Sequence, residues 1–65
     1  MIGQEIAAMR KRLGLSQNEL AKQLNIKQNT MSQYEKGIRK VPFDILAKVS
    51  KIFNCSILDL ASEVH

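Results

Sequence analysis

The chain has 65 residues, enough for one domain with one small core, and its 10 Lys and Arg against 6 Asp and Glu leave a formal charge of +4. A basic excess on so small a body favours polyanionic partners. One cysteine, Cys55, and one histidine, His65, rule out a disulfide framework and leave no set of ligands for a metal site or a nucleophile–base pair. The expectation is a cytoplasmic protein that is not an enzyme and uses no cofactor, metal or small-molecule ligand. No apolar run reaches the roughly 18 residues of a membrane span. The opening Met1-Ile2-Gly3-Gln4-Glu5 carries neither the charged nor the long apolar region of a secretory signal.

Apolar residues recur at three and four, the period of a helix. Ile2, Ile6, Met9 and Leu13 predict one face of a first helix, and Gly14 a left-handed stop after it. Ser16-Gln17-Asn18-Glu19 has the spacing of a capping box, which predicts a second helix from Gln17 to about Leu24 with Leu20, Ala21 and Leu24 inward. Asn25 tolerates the left-handed conformation that a tight turn needs, and Ile26 is expected to plug that turn into the core. A third helix begins near Lys27 or Gln28 and ends before Gly37, with only Met31 and Tyr34 inward.

Pro42 and Asp44 suit the first turn of a fourth helix, whose expected inner face is Phe43, Leu46, Val49 and Phe53. Asn54 is a further left-handed cap. Ser56 then caps a short last helix bearing Ile57, Leu58 and Leu60, and Cys55 is expected as a small buried apolar residue. Ile45, Ile57 and Leu58 fall off the assigned core faces, so they are candidates for a two-fold interface between copies. The terminal His65 is expected to be frayed. The reading is all-α, five short helices, in a single domain over 1–65.

The informative stretch is Gln17 to Tyr34. Two helices follow each other within three or four residues, with the small Ala21 where they would cross and Asn25 in the turn. The third helix presents Gln28, Asn29, Thr30, Ser32 and Gln33 outward, all neutral hydrogen-bonding groups. An ordinary wet helix face carries Glu and Lys pairs. Amides can pair with adenine, and short hydroxyls and methyls can meet the thymine methyl. Cations return at the far end as Lys36, Arg39 and Lys40, placed for a phosphate clamp. Any one of these residues could belong to a merely solvated face; their combination points to a surface suited to base edges, with a backbone clamp beside it.

These residues resemble the Cro/repressor-type (Xre-like) helix-turn-helix family, which includes lambdoid phage repressors. The likeness runs along essentially the whole chain. Leu13-Gly14-Leu15-Ser16-Gln17, Glu19-Leu20-Ala21, Leu24 and Ile26 are similar to its second-helix pattern. Met31-Ser32, Glu35 and Gly37 resemble the end of its recognition helix, and Leu46, Val49, Cys55-Ser56 and Leu60 its closing helices.

The resemblance implies a lambda-repressor-like domain whose third helix enters the major groove of double-stranded DNA. Gln28, Asn29 and Gln33 match its base-contacting positions, with Lys27, Thr30 and Ser32 nearby. Gln17 matches a phosphate-contacting, orienting position, and Ser16, Lys27, Lys36, Arg39 and Lys40 would hold the backbone. Arg10 and Glu35 match positions that form a partly buried ion pair in some relatives. Three departures stand out. Asn25 replaces the commoner glycine, Val41-Pro42 sets proline one position late, and Phe43 stands near a position that some phage repressors fill with an arginine.

The function expected is that of a transcriptional repressor or controller, binding a palindromic operator as a homodimer with its reading helices about 34 Å apart. The rival expectation is an antitoxin or co-regulator module that uses the same fold to bind another protein. A third is a piece of a longer repressor that dimerises through a further part.

Overall fold

The computed structural model describes residues 2–54. Four helices lie there: α1 (Ile2–Arg12), α2 (Gln17–Leu24), α3 (Gln28–Lys36) and α4 (Phe43–Phe53), with no strand among the described residues. Among the described residues the all-helical class holds, and the four helices expected there are all present. The helix read from Ser56, with Ile57, Leu58 and Leu60, lies outside the described residues, as do Cys55 and His65.

Local chemistry explains where the helices stop and start. The Ser16 hydroxyl accepts from the Glu19 N–H at 3.0 Å, and the Glu19 carboxylate accepts from the Ser16 N–H at 2.9 Å. This capping box satisfies two donors that the first turn of α2 would otherwise leave unpaired. Left-handed residues follow α1, α2 and α3 at Gly14, Asn25 and Gly37, with φ of 73°, 58° and 76°. Each is followed by a residue whose N–H reaches back five positions: Leu15 to Arg10 at 3.0 Å, Ile26 to Ala21 at 2.9 Å, and Ile38 to Gln33 at 3.1 Å. This is the Schellman arrangement, which turns the chain while pairing the last carbonyls of the helix.

The core joins Ile6 of α1, Leu20, Ala21 and Leu24 of α2, Met31 and Tyr34 of α3, and Ile45, Leu46, Val49 and Phe53 of α4. Ile26 packs against it from the α2–α3 turn, as expected. Three expectations need correction. Leu13 is 54% exposed. It lies beyond the last residue of α1, and the buried stripe of that helix is turned towards Gly3, Ile6 and Arg10. Phe43, expected inward, is 71% exposed, whereas Ile45, expected at the surface, is 6% exposed and part of the core. At 3.6 residues per turn the buried arc of α4 centres between Ile45 and Leu46, and Phe43 falls roughly 100° from that centre.

Gly3 is buried where α1 crosses the last turn of α3. A Cβ built there would fall on the Tyr34 carbonyl oxygen and lie 3.3 Å from the Glu35 Cα. Both neighbours are backbone and cannot swing aside, so only the missing side chain lets the helices approach this closely. Gly3→Ala is expected to destabilise the domain by about 1–3 kcal/mol through overpacking, despite alanine's better helix propensity. Urea unfolding followed by circular dichroism measures it. A variant as stable as the parent would show that the crossing is looser than described.

Candidate nucleic-acid interface

Helix α3 is held by its inner side and open on its outer side. Met31 is fully buried and Tyr34 is 5% exposed. On the other face Gln28 and Asn29 are exposed, and Thr30, Ser32 and Gln33 are half-buried. Gln17, at the start of α2, joins Gln28, Asn29 and Ser32 around a shallow depression. Two helices thus contribute amides and a hydroxyl to one surface. Lys27 stands at the N-cap of α3 and makes no side-chain capping bond, and no carboxylate sits in the first turn. The positive end of that helix is therefore left without an anionic side chain.

The far end of α3 is fastened to α1 by an arginine fork. Arg10 Nε donates to Glu35 Oε2 at 2.8 Å, and Nη2 donates to Oε1 at 3.2 Å. The third nitrogen, Nη1, donates to the Leu15 carbonyl at 2.8 Å, in the turn before α2. Gln17 Nε2 adds a bond to Glu35 Oε1 at 3.0 Å. The side chains of Arg10 and Glu35 are only 10% and 8% exposed. Among the described residues no buried side-chain nitrogen or oxygen lacks a partner.

Cations flank this ion pair. Lys11 and Lys36, both exposed, border a cleft with Gln17 and Glu35. Sequence reading passed over Lys11. Its neighbours Arg10 and Arg12 gave no sign that only Lys11 would join the cleft.

After α3 the loop carries Arg39 and Lys40, both exposed. Arg39 folds back on the helix: its N–H donates to the Gln33 carbonyl at 3.3 Å, and its Nη1 donates to Gln33 Oε1 at 3.5 Å. Ile38 is 72% exposed beside these cations. Sequence reading singled out neither the Arg39–Gln33 contact nor this exposed isoleucine. Of the residues proposed for a two-fold interface, Ile45 is in the core, and Ile57 and Leu58 lie outside the described residues. Among the described residues no three His, Cys, Asp or Glu side chains gather as a metal site, and no helix is long and apolar enough to cross a membrane.

The capping box also displaces the titration of Glu19. The Ser16 N–H that donates to its carboxylate, helped by the Ser16 side chain and by Lys22, holds it below the ordinary glutamate value of 4.5 against a small desolvation effect. A lowered folded value means that the stabilisation is complete above 4.5 and is lost as pH falls through the folded value. Glu19→Gln should therefore show a shallower fall in unfolding midpoint than the parent as pH is taken below 4.5. Equal slopes would remove the box as the source of that acid sensitivity.

The ion pair yields a second expectation. Glu35→Ala strands a buried guanidinium and should destabilise the domain by about 3–5 kcal/mol, whereas a double replacement of Arg10 and Glu35 by apolar residues of similar size should lose far less. Denaturant unfolding of both variants distinguishes a charge left unpaired from simple loss of packing.

Comparison with known proteins matches a family model described as helix-turn-helix over residues 6–60. The antitoxin PezA of Streptococcus pneumoniae serotype 4 is 35% identical over 63 residues, which cover 97% of this chain and 40% of that protein. The HTH-type transcriptional regulator ImmR of Bacillus subtilis is 36% identical over 55 residues, covering 85% of this chain and 43% of that protein. The chain thus spans about two fifths of the length of these relatives. A solved SinR protein/SinI protein complex contains a chain that superimposes with a TM-score of 0.87 at 35% identity, over 100% of this chain and 64% of that one.

Proposed function

Since the chain belongs to the Xre-like helix-turn-helix family of DNA-binding transcriptional regulators, we propose that it lays α3 in the major groove of a specific operator and represses or controls transcription from it. The observation that carries this reading is the outward amide and hydroxyl face of α3, joined by Gln17 and bordered by cations. Gln28, Asn29 and Gln33 read bases, with Thr30 and Ser32 beside them. Ser16, Gln17, Lys27, Lys36, Arg39 and Lys40 hold phosphates, and Lys11 joins them on the α1 side of the cleft. The role is one of binding in the cytoplasm, without catalysis.

Two copies on a palindromic site would place two such helices on one side of the duplex. With Ile45 in the core, the surface proposed for that pairing narrows to Ile57 and Leu58. A second reading has specific support, because one relative is named an antitoxin and the solved structure pairs SinR with SinI. In that reading a protein partner shares the regulation or replaces DNA as the main ligand.

Gln28→Ala or Gln33→Ala should each lose about 1–3 kcal/mol on the operator and relax the choice of base, whereas Lys40→Ala should weaken all sequences alike and lower the salt dependence by about one unit. Selection of bound sites from random duplexes, then fluorescence anisotropy at several salt concentrations, measures both. A palindrome supports the paired operator. Failure of the intact domain to enrich any sequence would favour the protein-partner reading.

A further inference from the structure

Gln33 sits at the border between the amide face of α3 and the basic loop, and Arg39 is tied to it twice. The Arg39 N–H donates to the Gln33 backbone carbonyl, and its guanidinium donates to the Gln33 side-chain oxygen at 3.5 Å. A guanidinium carries donors only, so the amide atom facing it has to be the oxygen. The amide nitrogen then faces away from Arg39, and among the described residues no acceptor meets it. No carboxylate competes for Arg39 either, because the only ion pair among the described residues is Arg10–Glu35.

This orientation changes what the pair can read. A free glutamine offers one donor and one acceptor, which suits the N6 and N7 atoms of adenine. The Gln33 oxygen keeps a second lone pair but is turned towards Arg39, so the side of the pair away from this contact presents the amide nitrogen and the remaining guanidinium donors. In the major groove guanine offers two acceptors, N7 and O6, while the amino groups of adenine and cytosine would set donor against donor. Thymine offers a single acceptor.

We propose that Gln33 and Arg39 form one base-reading unit selective for guanine, in which Arg39 sets the base choice of Gln33 as well as adding positive charge. This rests on the reading that α3 enters the major groove, and it moves Arg39 from the phosphate-contacting set into the specificity-determining set.

The test is site selection from random duplex DNA with the parent domain and with Gln33→Ala, Arg39→Ala and Arg39→Lys, followed by competition titrations on the selected sites. Gln33→Ala identifies the position it reads, as the one whose preference disappears. The parent should enrich guanine there. Arg39→Ala should shift that position towards adenine, changing the guanine-to-adenine preference by about tenfold or more. Arg39→Lys keeps the charge without the planar fork, and should shift the base in the same way while retaining more affinity for random DNA. Adenine in the parent's site at that position would overturn the proposal. So would an Arg39→Ala variant that binds every sequence more weakly with guanine still preferred, the behaviour of a phosphate contact alone. If the parent itself enriched no sequence, the reading of α3 as a base-contacting helix would fall, and this inference with it.

Discussion

One guanidinium ties three segments of this small domain together. Arg10 leaves α1, grips the Glu35 carboxylate near the end of α3, and donates to the Leu15 carbonyl in the turn before α2. Gln17, at the start of α2, closes the set through the same carboxylate. A buried pair of this kind adds little net stability once desolvation is counted, so its main contribution is geometric. The planar fork and the carboxylate meet in one relative orientation, which sets how α3 stands against α1 and α2. The Gln17 side chain, tied to Glu35, also sits beside Gln28 and Asn29 at the shallow depression on α3. The pair therefore couples the hidden side of the molecule to the face offered to a ligand.

A second restraint acts one residue earlier on the same turn. Gly3 brings α1 against the Tyr34 carbonyl, next to the residue that Arg10 holds. Backbone contact at Tyr34 and an ionic bond at Glu35 pin the last turn of α3, while its first turn, with Gln28 and Asn29 exposed, projects from the body. Rigid at one end and open at the other, the helix can meet a groove without losing its alignment. The turns show the same division. Leu15 and Ile26, which follow the first two left-handed caps, are half-buried, whereas Ile38 after the third is 72% exposed. Its place in the motif normally packs on the residue five positions back, which here is the polar Gln33.

Features written within a few residues were legible in the sequence. The capping box at Ser16 and Glu19, the left-handed Asn25, Gly37 and Asn54, and the inward Met31 and Tyr34 follow from local spacing. Features made by contact between distant segments were not. Arg10 and Glu35 are 25 positions apart, and only resemblance to a family suggested pairing them. Gly3 reads as an ordinary glycine in a first turn until α3 is laid across it. Of the two expected inner faces only Leu13 and Phe43 fall outside, because the edges of those faces are set by neighbours: Arg10 takes core space on α1, and Ile45 takes it on α4. The Arg39–Gln33 contact depends on a loop folding back on its helix, for which hydrophobic period holds no signal.

The distribution of charge follows from the same contacts. Of the ten Lys and Arg residues, eight fall between positions 10 and 40, against only two of the six carboxylates, Glu19 and Glu35. Both are occupied: Glu19 accepts from the Ser16 N–H, and Glu35 is enclosed by Arg10 and Gln17. The central segment thus presents Lys11, Lys36, Arg39 and Lys40 around a helix whose single carboxylate is neutralised from within. A phosphate backbone approaching it would meet cations at the rim and uncharged amides at the centre. Such a division lets Lys11, Lys36 and Lys40 supply affinity for any sequence and leaves the choice among sequences to the amides, with Arg39 acting through Gln33. The buried ion pair therefore serves electrostatics as well as geometry, because it removes from α3 the one negative charge that would repel the partner.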